Sequence, residues 1–96
     1  GFVQVVFKLM GIDLPRDAWQ QAQEGKVVKK LNEAAAGDLV FFHDKESIVH
    51  TGILLNNQQV IHASGKVRID TIDKKGIINT ETGKRTYNLE AIRRLL

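Results

Sequence analysis

The sequence predicts an α+β fold, an N-terminal helix packed on an antiparallel sheet of about five strands. Three stretches carry that prediction. Gly1 to Met10 (GFVQVVFKLM) is apolar except at Gln4 and Lys8, and Leu39 to Phe42 is an unbroken apolar run. Ser47 to Ser64 (SIVHTGILLNNQQVIHAS) holds two β-favouring segments about an Asn-Asn-Gln turn. At 96 residues, with 43% hydrophobic and 26% charged side chains, the chain makes one domain, residues 1–96, with a modest core.

Gln4 and Lys8 lie on one strip of a helix, which predicts a deeply buried helix closed by Gly11. The abundance of Val and Phe keeps a strand as the competing reading. Nothing caps the start of this helix, so its first N–H groups call for partners from residues preceding Gly1. Leu14, before Pro15, leaves the helical region, and Pro15 opens a second helix, Pro15 to Gln23. Asp17 then sits in the first turn, where the helix dipole favours a carboxylate, with Trp19 and Ala22 toward the core and Gln20 and Gln21 away from it.

Lys26 to Ala36 reads as an extended connection with Val27, Val28 and Leu31 tucked in, and Ala36-Gly37-Asp38 as a turn. Leu39 to Phe42 is a central strand buried on both faces, followed by a charged loop, His43 to Glu46, with His43 toward solvent. After the hairpin, Val67 and Ile69 point inward from a short strand and Arg68 points outward. Asp70 to Tyr87, punctuated by Gly76, Asn79 and Gly83, reads as a surface excursion. Leu89 to Leu96 is a last strand that closes the sheet, with a helix as the alternative.

Within the hairpin, alternation puts His50 on a face with Ile48, Gly52 and Leu54, and His62 with Val60 and Ser64. A three-residue loop, Asn56 to Gln58, sets Leu55 opposite Gln59 and Gly52 opposite His62, with His50 diagonal to His62. A two-residue loop at Asn56 and Asn57 would put the rings on opposite faces. The first register is the one we expect, because diagonal neighbours roughly 7 Å apart allow two imidazoles to meet. Gly52 would then leave open space beside the rings. One histidine in an apolar strand is ordinarily a packed residue, but two on one face fit a general base, His50, oriented by a second polar group, His62. Two histidines also suit part of a zinc site, yet no third ligand stands at metal-like spacing, so neither metal nor cofactor is expected.

The net charge of +3 is spread among acidic residues without a basic stripe, and aromatic residues are few, so nucleic-acid binding is not expected. A mildly basic surface favours anionic partners such as cell-wall polymers. The apolar runs are too short for a membrane span. The chain contains no cysteine, which excludes disulfides and thiolate sites within it.

Several segments, in this order, resemble the NlpC family of papain-like bacterial cell-wall cysteine peptidases. They are Gly1-Phe2-Val3-Gln4, Gly11-Ile12, Leu14-Pro15-Arg16, Gly37-Asp38-Leu39-Val40-Phe41-Phe42, His50-Thr51-Gly52-Ile53 and Ile61-His62-Ala63-Ser64. The resemblance implies a papain-like fold and a nucleophilic cysteine two residues before Gly1, within an Asp-Cys-Ser that precedes Gly-Phe in the family. It also implies His50 as general base and His62 as its orienting partner. The chain would then be a catalytic-type domain cut just after its nucleophile.

Leu14-Pro15-Arg16-Asp17 and Ser64-Gly65-Lys66-Val67-Arg68-Ile69-Asp70 are most similar to the YkfC-like branch, the dipeptidyl-peptidase VI or γ-D-glutamyl-L-diamino acid endopeptidases. This implies cleavage between γ-D-glutamate and a diamino acid in murein peptides with a free N-terminal L-alanine. Asp17 would pair with that ammonium and Arg16 with the α-carboxylate of D-glutamate, although Arg16 equally suits an internal ion pair. Gly52 would border the substrate. Ala18 stands where the branch usually has Ser, a departure in the amine pocket. The branch also implies SH3-like domains upstream and a location in the cell envelope, periplasmic or secreted, with a cytoplasmic recycling role as the alternative. The rival function is a catalytically inactive wall-binding module of the same fold, or an amidase or acyltransferase with another substrate.

Overall fold

The computed structural model describes residues 2–44 and 47–96. Helix α1, Phe2–Leu9, ends where Gly11 takes φ 82°: its N–H bonds Lys8 O at 3.0 Å and the Ile12 N–H reaches back to Phe7 O at 2.9 Å. Those bonds satisfy two of the last carbonyls and fold Ile12 onto the cluster around Phe7. The helix is less buried than the sequence suggested. Val3 and Phe7 face the sheet, whereas Val5, Leu9 and Met10 are exposed beside Lys8, because a helix lying on one side of a sheet has a single face to cover.

Helix α2 is shorter than expected, Ala18–Gln21, with Asp17 at its N-cap position. Trp19 and Gln21 exchange the expected roles: Trp19 is 52% exposed and Gln21 only 3%. The Gln21 Nε2 donates to Pro15 O at 2.8 Å, so the turn into the helix needs a buried amide at that position to satisfy a carbonyl. Ala22 is buried as expected.

Seven strands follow among the described residues: β1 Lys26–Val27, β2 Leu39–Asp44, β3 Ser47–Asn56, β4 Gln59–Ser64, β5 Lys66–Asp73, β6 Gly76–Ile78 and β7 Arg85–Arg94. They form one antiparallel sheet in the order β1-β7-β2-β3-β4-β5-β6, and β6 pairs back onto β7. Six strands thus close into a barrel, and β1 lies along the far end of β7 at Arg93 and Arg94. The expected count of about five missed β1, inside the supposed connection, and β6, inside the supposed surface excursion. Asp70 to Tyr87 is therefore not an excursion. β5 continues to Asp73, and Ile72 and Ile77 belong to the barrel core. In the stretch between β1 and β2, Val27 is exposed while Val28 and Leu31 pack against that core, and Leu31–Glu33 makes a turn of 3-10 helix.

The run Leu39 to Phe42 divides two cores, as alternation requires of a strand buried on both faces. Val40 and Phe42 point into the barrel with Leu54, Val60, Ile72, Ile77 and Ile92, while Leu39 and Phe41 point outward beneath Val3, Phe7, Leu14 and Ala22. His43 and Asp44 extend β2 rather than opening a loop, His43 being half-buried near Glu90; Lys45 and Glu46 of the expected charged loop lie outside the described residues.

Candidate functional site

The hairpin β3–β4 has the expected pairing of Gly52 with His62, but by a different turn. Asn56 pairs with Gln59, so the loop is the two residues Asn57 and Gln58, and Leu55 is an extra residue in β3. The bulge restores the parity that a two-residue loop alone would have reversed. A second irregularity lies beside the site: Phe42 pairs with His50 and His43 with Ile48, which leaves Val49 unpaired. Consequently Ile48 turns to the helix-side cluster, not to the face of His50, Gly52 and Leu54 as strict alternation predicted.

His50 Nε2 lies 2.8 Å from His62 Nδ1, and His62 Nε2 lies 2.7 Å from Asp70 Oδ2. Both steps are diagonal. His62 stands directly opposite Gly52 on one side and Arg68 on the other, so the polar chain climbs one diagonal from β3 to β4 and another from β4 to β5. Space for the first step comes from the glycine's close approach. A Cβ on Gly52 would lie 2.5 Å from Val60 Cγ2 and 3.3 Å from His62 Cβ, so the open space expected there is in fact filled by β4.

Asp70 closes the chain. Its Oδ2 also accepts from Arg68 Nε at 2.8 Å, and its Oδ1 accepts from Arg68 Nη2 at 3.2 Å and from the Thr80 N–H at 3.0 Å. Burial alone would raise this carboxyl, but the bonds from Arg68, Thr80 and His62 together outweigh it and hold it far below the usual carboxylate range. Arg68 thus points inward to Asp70, and Val67 and Ile69 are the exposed positions, the reverse of the expected facing. Tyr87, from β7, stacks on His50 with ring centroids 4.1 Å apart and planes 9° from parallel, and its hydroxyl lies 3.2 Å from Ser64 Oγ. Burial first, and then the neighbouring His62, push His50 down to about 4. Its ring is therefore neutral at pH 7 and able to accept a proton.

The remaining sequence-derived residues stand apart from this network. Arg16 and Asp17 are exposed on the approach to α2, and Asp17 makes no capping bond with that helix. Among the described residues, neither is bonded to His50, His62 or Asp70. No group of three or more metal-ligating side chains occurs among them either. A broad groove between Val28 to Leu31 and Gln58 contains none of the site residues. Asp70, Arg68 and Tyr87 escaped the sequence reading of the site. Ile72 was the available signal for two of them, since an inward Ile72 on a continuous strand turns Asp70 and Arg68 inward too.

The model of the NlpC/P60 family matches residues 1–86. The chain belongs to the NlpC/P60 family. Among its relatives is the "Murein DD-endopeptidase MepS/Murein LD-carboxypeptidase" of Escherichia coli (strain K12), 42% identical over 65 residues that cover 67% of this chain and 34% of that protein. A "Gamma-D-glutamyl-L-lysine dipeptidyl-peptidase" of Bacillus cereus is 34% identical over 93 residues, covering 91% of this chain and 28% of the relative. The solved structure of NlpC2 from Trichomonas vaginalis superposes with a TM-score of 0.76 at 27% identity, over 97% of this chain and 35% of the other. The chain therefore spans about a third of the length of these curated relatives. Among the described residues, no helix is long and apolar enough to cross a membrane.

Proposed function

We propose that this NlpC/P60 domain belongs to a papain-like cysteine endopeptidase that hydrolyses the bond between γ-D-glutamate and a diamino acid in murein stem peptides. The observation that carries the reading is the 2.8 Å contact of His50 with His62, made by a neutral, half-buried imidazole. The nucleophile in this proposal is a thiol two positions before Gly1, next to the amino end of α1, which packs on the strands bearing both histidines. Deprotonated with the help of His50 and of the helix dipole, the thiolate attacks the γ-glutamyl carbonyl. His50, now an imidazolium held by His62, passes its proton to the departing amine, and water then hydrolyses the thioester.

Asp17, exposed and unused as a cap, is the proposed partner of the free ammonium of L-alanine, and Arg16 of the α-carboxylate of D-glutamate. Gly52 contributes by admitting β4 close to β3 beside the substrate. Upstream SH3-like domains complete the proposal, as does a place in the envelope, periplasmic or secreted, which the murein named for one relative supports. In the complete protein, His50→Ala should abolish release of L-Ala-γ-D-Glu from a tripeptide ending in a diamino acid, read by mass spectrometry across a stem-peptide panel. Undiminished cleavage by that variant, or a cut elsewhere in the peptide, would refute the assignment.

A further inference from the structure

The proposed chemistry needs only two histidines from this chain and leaves a buried carboxylate without a task. Asp70 is 2% exposed, and a charge so placed is costly unless each oxygen is bonded. Arg68 and the Thr80 N–H would suffice to satisfy it. One oxygen is nevertheless aimed at His62 Nε2 at 2.7 Å, the shortest bond in the network. We infer that Asp70 is a positioning residue for the reaction, fixing which nitrogen of each histidine carries the proton; this rests on the reading of His50 as the base.

An ionised carboxylate only accepts, so the proton between Asp70 and His62 resides on His62 Nε2. A neutral imidazole has one N–H, which leaves His62 Nδ1 as an acceptor. His50 Nε2, 2.8 Å away, must then donate into it, and His50 Nδ1 becomes the bare nitrogen that takes the thiol proton. The order propagates in one direction, from carboxylate through one ring to the next. Without the carboxylate, His62 could carry its proton on Nδ1, which would turn His50 Nε2 into the acceptor and put a hydrogen on the very nitrogen required as base. Arg68 offsets much of the charge of Asp70, so orientation and tautomer, more than a long-range field, are what the carboxylate supplies.

The test uses the complete protein. In wild type, long-range proton–nitrogen spectra of the imidazoles should show the proton on Nε2 of both His62 and His50. Asp70→Asn should lose that single pattern at both rings and lower kcat by about 10²- to 10⁴-fold, with KM within about twofold and a cooperative melt retained. A wild-type spectrum with the proton on His62 Nδ1 overturns the inference, and does so even if the variant fails to fold. Full kcat in Asp70→Asn, with His50→Ala inactive, overturns it while leaving the reading of His50 in place. Full activity in His50→Ala overturns that reading and the positioning role with it, although the spectrum still reports the tautomers.

Discussion

His50 contributes to the acid sensitivity of the molecule. The unfolded ring takes up a proton near its ordinary 6.5 and the folded ring only near about 4. Between those values the unfolded state binds more protons, so stability falls as pH falls through this window and His50 adds no further loss below it. Asp70 acts in the same direction at still lower pH, because its depressed carboxyl contributes stability that is lost as it becomes protonated. Thermal melts should therefore decline from pH 6.5 to 4, and His50→Gln should flatten that part of the curve; an unchanged slope in the variant would remove His50 as its source. The two histidines were legible because strand parity and a short hairpin leave few ways to pair them. Asp70 was not, since exposed Val67 and Ile69 imitate an inward face and so misdirect Arg68 and Asp70 outward.

Among elements, the β3–β4 hairpin fixes the distance between the two rings, and Gly52 fixes the hairpin. Its side chain is absent where Val60 Cγ2 would lie 2.5 Å from a Cβ, with Ile61 O at 3.2 Å. Gly52→Ala is expected to cost about 1–3 kcal/mol by overpacking. Denaturant titration should show a lower midpoint with an unchanged m-value, and kcat should fall as β4 shifts His62 away from His50. A variant as stable and active as wild type would mean that the close approach is not needed. Gly52 opposite His62 could be read from sequence, because residue spacing alone determines it once the parity is right. The bulges at Leu55 and Val49 could not, since an inserted residue leaves composition and alternation unchanged until the partner strand is known.

Across the whole molecule, the site depends on the barrel being closed. His50 lies on β3 and its stacking partner Tyr87 on β7, and β7 is held on one side by β2 and on the other by β6. At that last seam Gly76 pairs with Asn88 at φ 144°, and a Cβ there would fall 1.9 Å from Tyr87 O. Only glycine accommodates both the backbone angle and the contact. The seam was hidden in the sequence, where Gly76, Asn79 and Gly83 look like loop residues although Gly76 opens β6 and Asn79 and Gly83 belong to the turn from β6 to β7. Gly76→Ala should therefore part β6 from β7 and loosen Tyr87 over His50, acting on the proposed reaction through a residue outside the histidine–carboxylate chain. Hydrogen exchange should then quicken at Ile77, Ile78 and Tyr87 while amides of β3 and β4 stay protected, and kcat should drop together with this local protection. Uniform loss of protection throughout the sheet would instead mean that the seam governs global stability alone, and unchanged exchange at Tyr87 would mean that closure does not bear on the site.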